Sequence, residues 1–392
     1  MARALSLVER GASAPLSLPR RLLLANGLAI LAVVAHHAAA WVLLAMFWWA
    51  DSFSTVAALP DLSRVGSPSY YFLLAVNVLT RFSVPTFVFV SGFFTAYALK
   101  GAGTVRQGWR VIFSRLVWLL VPYVIWSLVI FIARWVESCE EVCQAESLTT
   151  YAQKLLFGDA TGAYYYVFVL TVFMLSAPLL ALVARVRGRQ LLAVSWLILF
   201  AVRSLPYLSL LTGTPLLTDA PAPLLHICLL LFYFALGLVY RTQMEALKPW
   251  LGRIKPYLPV LIVAFGLLSL IDSEWFSRLN TNALSPDHAH SSLFVEGYSL
   301  AIILAFAAFE RIPIPGTRAL MALGGAVYGV YLLHPLLPEY LARAVHRFFP
   351  WFLAYPLALQ LFLVAGSIGL PLLFMHAVRR SPFKRYYRYL FG

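Results

Sequence analysis

Apolar residues fall in ten long runs, at about 22–49, 69–99, 111–135, 164–184, 190–211, 223–240, 256–272, 292–309, 319–338 and 351–376. A helix rises about 1.5 Å per residue, so roughly 20 apolar residues carry it across a bilayer. The runs predict an all-α polytopic membrane protein with about ten transmembrane helices. Polar residues gather between the runs, and the gaps alternate in charge. One set carries Arg20 and Arg21, then Lys100, Arg106 and Arg110, then Arg185, Arg187 and Arg189, and ends with Arg379, Arg380, Lys384, Arg385 and Arg388. The other set holds Glu137, Glu140, Glu141, Asp159, Asp219, Asp272 and Glu274, with few cations. The positive-inside rule assigns the first set, and both termini, to the cytoplasm. One gap breaks the alternation: Arg343 and Arg347 fall on the outer side.

The longest outer segments, about 136–163 and 273–291, are too short to fold as independent domains. The chain divides into a cytoplasmic N-terminal segment (1–21), a membrane domain (22–376) and a basic cytoplasmic tail (377–392). The basic N-terminus followed by an apolar run is similar to a signal peptide. The run is too long for one, so it is read as a retained first helix.

Composition agrees with the pattern. The 392 residues are 61% hydrophobic and 12% charged, against about 25% charged in soluble domains. A net charge of +14 would suggest nucleic acid in a soluble protein. Here the cations sit in short loops, so topology and the lipid bilayer account for them and no nucleic-acid partner is expected. An arginine-rich cytoplasmic face can also receive a polyanionic ligand. Of three cysteines, Cys228 lies in an apolar run, while Cys139 and Cys143 lie four apart in an acidic loop. Two cysteines are too few for structural zinc, and a disulfide is open to them if the loop faces an oxidising compartment. No metal site is predicted, and no Walker A, dinucleotide-binding or His-Glu-x-x-His motif is present.

Polar groups inside the runs are the candidates for chemistry, because they are costly in lipid. No Lys, Arg, Asp or Glu stands between Arg21 and Asp51, yet His36 and His37 do. His37 is sixteen residues past Arg21, and His334 is sixteen past Arg318. Each is about 24 Å along its helix, so the two share a depth. His36 and His37 point about 100° apart and do not form a chelating pair. The second run contains Arg81, Ser83, Pro85, Ser91 and Gly92. Pro85 and Gly92 predict an interrupted helix. Arg81 can be read as snorkelling to outer headgroups or as a substrate contact. Arg110 and Arg115 can be read as inner-leaflet anchors or as phosphate ligands. Tyr164–Tyr166, Arg203 and His226 read by default as an aromatic belt and surface groups.

Four stretches then stand in order along the chain. They are Gly27–His37, ending Val33-Val34-Ala35-His36-His37; Arg81–Phe93, containing Val84-Pro85-Thr86-Phe87-Val88-Phe89-Val90-Ser91-Gly92-Phe93; Arg110–Tyr123; and Tyr328-Gly329-Val330-Tyr331-Leu332-Leu333-His334-Pro335. Together they resemble the acyltransferase-3 family of membrane acyltransferases over about residues 22–376. The resemblance implies transfer of an acyl group, acetyl or succinyl in type, from cytoplasmic acyl-CoA (acetyl-CoA or succinyl-CoA) to a hydroxyl. The acceptor would be a carbohydrate or another envelope or exported molecule, and the protein would sit in a bacterial cytoplasmic (inner) membrane. It implies a catalytic first-helix histidine, with His37 the better match and His36 beside it. It assigns Arg110 and Arg115 to the donor side. Asn26 stands where the family has a basic residue, eleven positions before the histidine.

The chemistry expected of these residues is base catalysis. A neutral imidazole can take the proton of an acceptor hydroxyl near neutral pH, and the oxygen then attacks the thioester. Ser91 is a candidate oxyanion donor, Arg81 a further substrate-binding cation, and His334 either an orienting or a structural group. A transporter or flippase for a lipid or glycan is the rival reading, since broken helices and midplane polar groups occur there too. A non-catalytic scaffold is the third.

Overall fold

Prolines and hydroxyl side chains set where the apolar runs become helices. In the computed structural model, which describes residues 16–49, 62–139, 146–213, 221–279, 292–311 and 314–392, α1 spans Leu18–Leu44 and carries a proline in its first turn. A missing N–H costs nothing there. The chain continues as a wider turn over Ala45–Trp49. Helix α2 (Pro68–Leu79) starts where the Ser67 hydroxyl accepts from the Tyr70 amide, and α3 follows over Ser83–Ala98. Helix α4 (Val105–Ser138) opens on a reciprocal cap between Thr104 and Gln107. Then come α5 (Leu148–Phe157), α6 (Tyr165–Thr212), α7 (Ala222–Thr242), α8 (Met244–Ile254), α9 (Leu258–Leu279) and α10 (Leu293–Ala308). The chain ends with α11 (Thr317–Gly325), α12 (Val327–Leu333), α13 (Leu336–Phe348), α14 (Pro356–Arg380) and α15 (Tyr387–Phe391). There is no strand among the described residues. This is an all-α polytopic membrane protein.

Among the described residues, seven helical stretches are long and apolar enough to cross a membrane. One of them, α6, carries two of the sequence's apolar runs. Arg187 within it has non-helical backbone (φ −130°, ψ 41°). Tyr165 and Arg203, on either side of this kink, line one cavity. Arg185, beside the kink, donates instead to the Leu99 carbonyl (3.3 Å) at the far end of α3. The chain therefore turns back at the kink. The eighth and ninth runs become α10 and the short pair α11 and α12.

The second run is interrupted as expected, but elsewhere. The break falls at Thr80–Phe82, between α2 and α3. Pro85 is the third residue of α3, where its amide has no intrahelical acceptor to lose. The Thr80 hydroxyl turns back on the Val76 carbonyl (2.6 Å) and closes α2. Gly92 serves a different end. A β-carbon there would lie 2.3 Å from the Phe234 carbonyl oxygen of α7, and one at Gly237 would lie 2.2 Å from the Phe89 oxygen of α3. The two helices cross backbone to backbone through these glycines.

Arg21 is buried and donates to the Ala307 carbonyl (2.6 Å), capping the last turn of α10. At the acidic ends of the helices, Arg134 pairs with both oxygens of Glu339. Glu339 also takes Arg343 (2.5 Å). Burial and the hydrogen bond to Glu137 push the Tyr340 hydroxyl up to about 12, which keeps it a donor. The out-of-place cation Arg343 is thus neutralised locally, which resolves its break in the charge alternation. Cys139 is disulfide-bonded and Cys228 is free. Cys143 lies outside the described residues.

Candidate active site

His36 and His37 are neighbours on α1, and the fold gives them different surroundings. The His36 Nδ1–H donates to the Asn77 carbonyl (3.2 Å) at the end of α2, with Thr80 Oγ1 at 3.4 Å. This fixes its tautomer, because a carbonyl can only accept. The His37 ring lies 5.2 Å, centroid to centroid, from that of His334. The equal depths inferred from the sequence become a contact. His334 is fully buried, and its Nδ1–H donates to the Tyr331 carbonyl (2.7 Å). Its Nε2 then presents a lone pair, for which no partner is found.

Both histidines of α1 line a cavity of about 460 Å³ towards the acidic side. Its wall brings together Arg81 and Ser83 from the α2–α3 break, Tyr165 and Arg203 from α6, His226 from α7 and Glu296 from α10. Arg203 Nε donates to one oxygen of Glu296 (2.6 Å), and the Tyr233 hydroxyl donates to the other (2.5 Å). Arg81 donates to Asn77 Oδ1 (3.0 Å). His334 packs against His37 and does not line this cavity.

A second cavity, about 430 Å³, lies towards the arginine-rich side and is lined by Asn26, Arg115, Trp118 and Arg379 among others. A smaller hollow, about 160 Å³, lies between the two. It shares Phe87, Tyr166 and Tyr331 with the histidine cavity, and Asn26, Ser91 and Tyr328 with the arginine cavity. The three hollows therefore adjoin in series. Asn26 and His37 are eleven residues apart, which is about 16 Å of rise and about 20° from the same face. One stripe of α1 thus follows the whole series. A larger hollow of about 560 Å³ is lined mostly by apolar side chains, together with Arg311. It lacks converging polar groups and is not the site.

The sequence candidates separate on this geometry. His36, His37 and Arg81 meet in one cavity. Ser91 does not join them; it lines the connecting hollow and pairs with the Tyr166 hydroxyl (3.2 Å). Arg115 lines the arginine cavity, whereas Arg110 is exposed and lines none of the cavities described. Among the described residues no metal-binding cluster occurs. Arg203 and His226 are cavity residues and not the surface groups expected of them. Tyr164 is fully buried and donates to the Leu332 carbonyl (2.5 Å), so it is no interfacial belt. The sequence reading missed Glu296 and Arg379. Glu296 carried a signal, as an acid inside an apolar run. Arg379 looked like one more tail cation.

A family model described as an acyltransferase domain matches residues 24–376. No curated protein and no solved structure matches the chain.

Proposed function

The chain belongs to the acyltransferase-3 family of membrane acyltransferases, and from that premise we propose that it moves an acetyl- or succinyl-type group from cytoplasmic acyl-CoA to an acceptor hydroxyl, with His37 as general base. One observation carries the reading. The His37 cavity adjoins, through a narrow hollow, a cavity that holds Arg115 and Arg379. The donor's phosphates would rest on those two arginines, which form strong charge-assisted contacts to phosphate. Its pantetheine arm is thin and has about thirteen skeletal bonds of roughly 1.5 Å. Extended, it spans about 16 Å, which equals the rise from Asn26 to His37. The thioester can then lie at the histidine while the nucleotide stays at the cytoplasmic end.

The acceptor would occupy the outer cavity. His37 takes the proton of its hydroxyl as the oxygen attacks the thioester carbonyl. The tetrahedral intermediate collapses, the C–S bond breaks, and the proton passes to the departing CoA thiolate. The His334 Nε2 lone pair stabilises the cation formed on His37. We assign oxyanion support to Ser83, which shares the cavity with His37, and arm passage to Ser91 and Tyr166. A carbohydrate or other envelope acceptor and an inner-membrane location belong to the same proposal.

The test is labelled acetyl-CoA and succinyl-CoA given to membranes containing wild type or His37→Ala, with CoA binding measured in parallel. Transfer by the wild type and loss in the variant, with CoA binding kept, is the expected result. Equal transfer by both removes His37 as the base.

A further inference from the structure

The charges in the outer cavity do not balance. Its lining includes two guanidinium groups, Arg81 and Arg203, and one carboxylate, Glu296. Glu296 is committed, since one oxygen takes Arg203 and the other takes Tyr233. Arg81 hydrogen-bonds to neutral Asn77; Glu296 acts on it electrostatically, as does the opposing Arg203, but no carboxylate makes a direct ion pair with it among the described residues. It sits at the break between two half-helices, one residue past Thr80, whose hydroxyl lies 3.4 Å from His36 Nδ1. It also faces the cavity instead of the lipid. A cation enclosed among apolar helices is costly without a counter-ion. Arginine is suited to forked recognition of a carboxylate or phosphate.

We propose that the outer cavity contains an anion subsite built on Arg81 that holds a carboxylate or phosphate of the reacting molecules beside His37. Two sources supply that chemistry: an acidic acceptor, such as a uronic acid or sugar phosphate, and the terminal carboxylate of a dicarboxylic acyl donor. The inference deepens the acyltransferase reading and rests on it for the identity of the ligand.

Wild type, Arg81→Gln and Glu296→Gln in nanodiscs are titrated with two matched pairs of probes. The pairs are methyl glucuronide against methyl glucoside, and succinyl-CoA against acetyl-CoA. Wild type is expected to favour the anionic member of at least one pair by about tenfold, the scale of one charge-assisted contact. The pair that shows the preference identifies the source. Arg81→Gln abolishes the preference. Glu296→Gln enlarges it, because Arg203 then loses the carboxylate it pairs with. Opposite movement in two variants cannot come from unfolding. A wild type that binds both members of both pairs equally overturns the proposal, and so does a preference that survives in Arg81→Gln. CoA binding is read in the same samples. Its loss in wild type defeats the donor reading, while the saccharide pair still decides the anion subsite.

Discussion

Replacing Gly92 by alanine tests whether the α3–α7 crossing sets the spacing of the passage. The added β-carbon would lie 2.3 Å from the Phe234 carbonyl oxygen and 3.2 Å from its carbon. Carbon and carbonyl oxygen normally approach to about 3.3 Å, so the helices must part by about 1 Å. Both neighbours are backbone and cannot rotate away. Such overpacking costs about 1–3 kcal/mol, and α3 carries Ser91, the neighbour of Gly92, into the connecting hollow. Gly252→Ala in α8 is the control, because nothing lies within 4 Å of its β-carbon position. There the substitution gains up to about 1 kcal/mol of helix propensity. Melting in nanodiscs, followed by intrinsic fluorescence, should fall by several degrees for Gly92→Ala and stay level or rise for Gly252→Ala. Acyl transfer should fall in the first variant alone. Unchanged melting and transfer in Gly92→Ala would refute the close-crossing argument.

His37→Ala should lower transfer by about 10²–10⁴-fold, the usual scale of general-base catalysis, and leave CoA affinity within a factor of about two. Arg115→Ala and Arg379→Ala should each weaken CoA binding by about tenfold. The loss should shrink at high salt, because both arginines are exposed; titration calorimetry at two ionic strengths measures it. His334→Phe keeps an aromatic ring but strands the Tyr331 carbonyl, which His334 now satisfies at 2.7 Å. It should cost about 1–3 kcal/mol of stability and lower kcat more than it changes KM, as a Michaelis series on both substrates would show.

Much of the candidate site was legible in the chain because lipid makes polar groups conspicuous. His36, His37, His334 and Arg81 stand out against apolar runs. A fixed rise per residue was enough to give His37 and His334 one depth. The meaning of Pro85 was not legible. Its effect depends on whether it falls inside a helix or in a first turn, and the turn made by Thr80 decides that. The cavity placement of Arg203 and His226 is not legible in the chain, because hydropathy reports position along the membrane normal and says nothing of direction around a helix.

The sequence alone determined fold class, the helical runs and the alternation of charge between gaps. All three follow from the single solvent rule that a bilayer tolerates neither open backbone nor unmatched charge. Tertiary structure alone decided which polar faces converge. It turned α6 back at Arg187, so that Tyr165 and Arg203 share a cavity. It locked α3 to α7 through glycine contacts and committed Glu296 to Arg203 and Tyr233. Such pairings depend on rotation about helix axes and on close backbone approach, and both are fixed by packing between segments far apart in the chain.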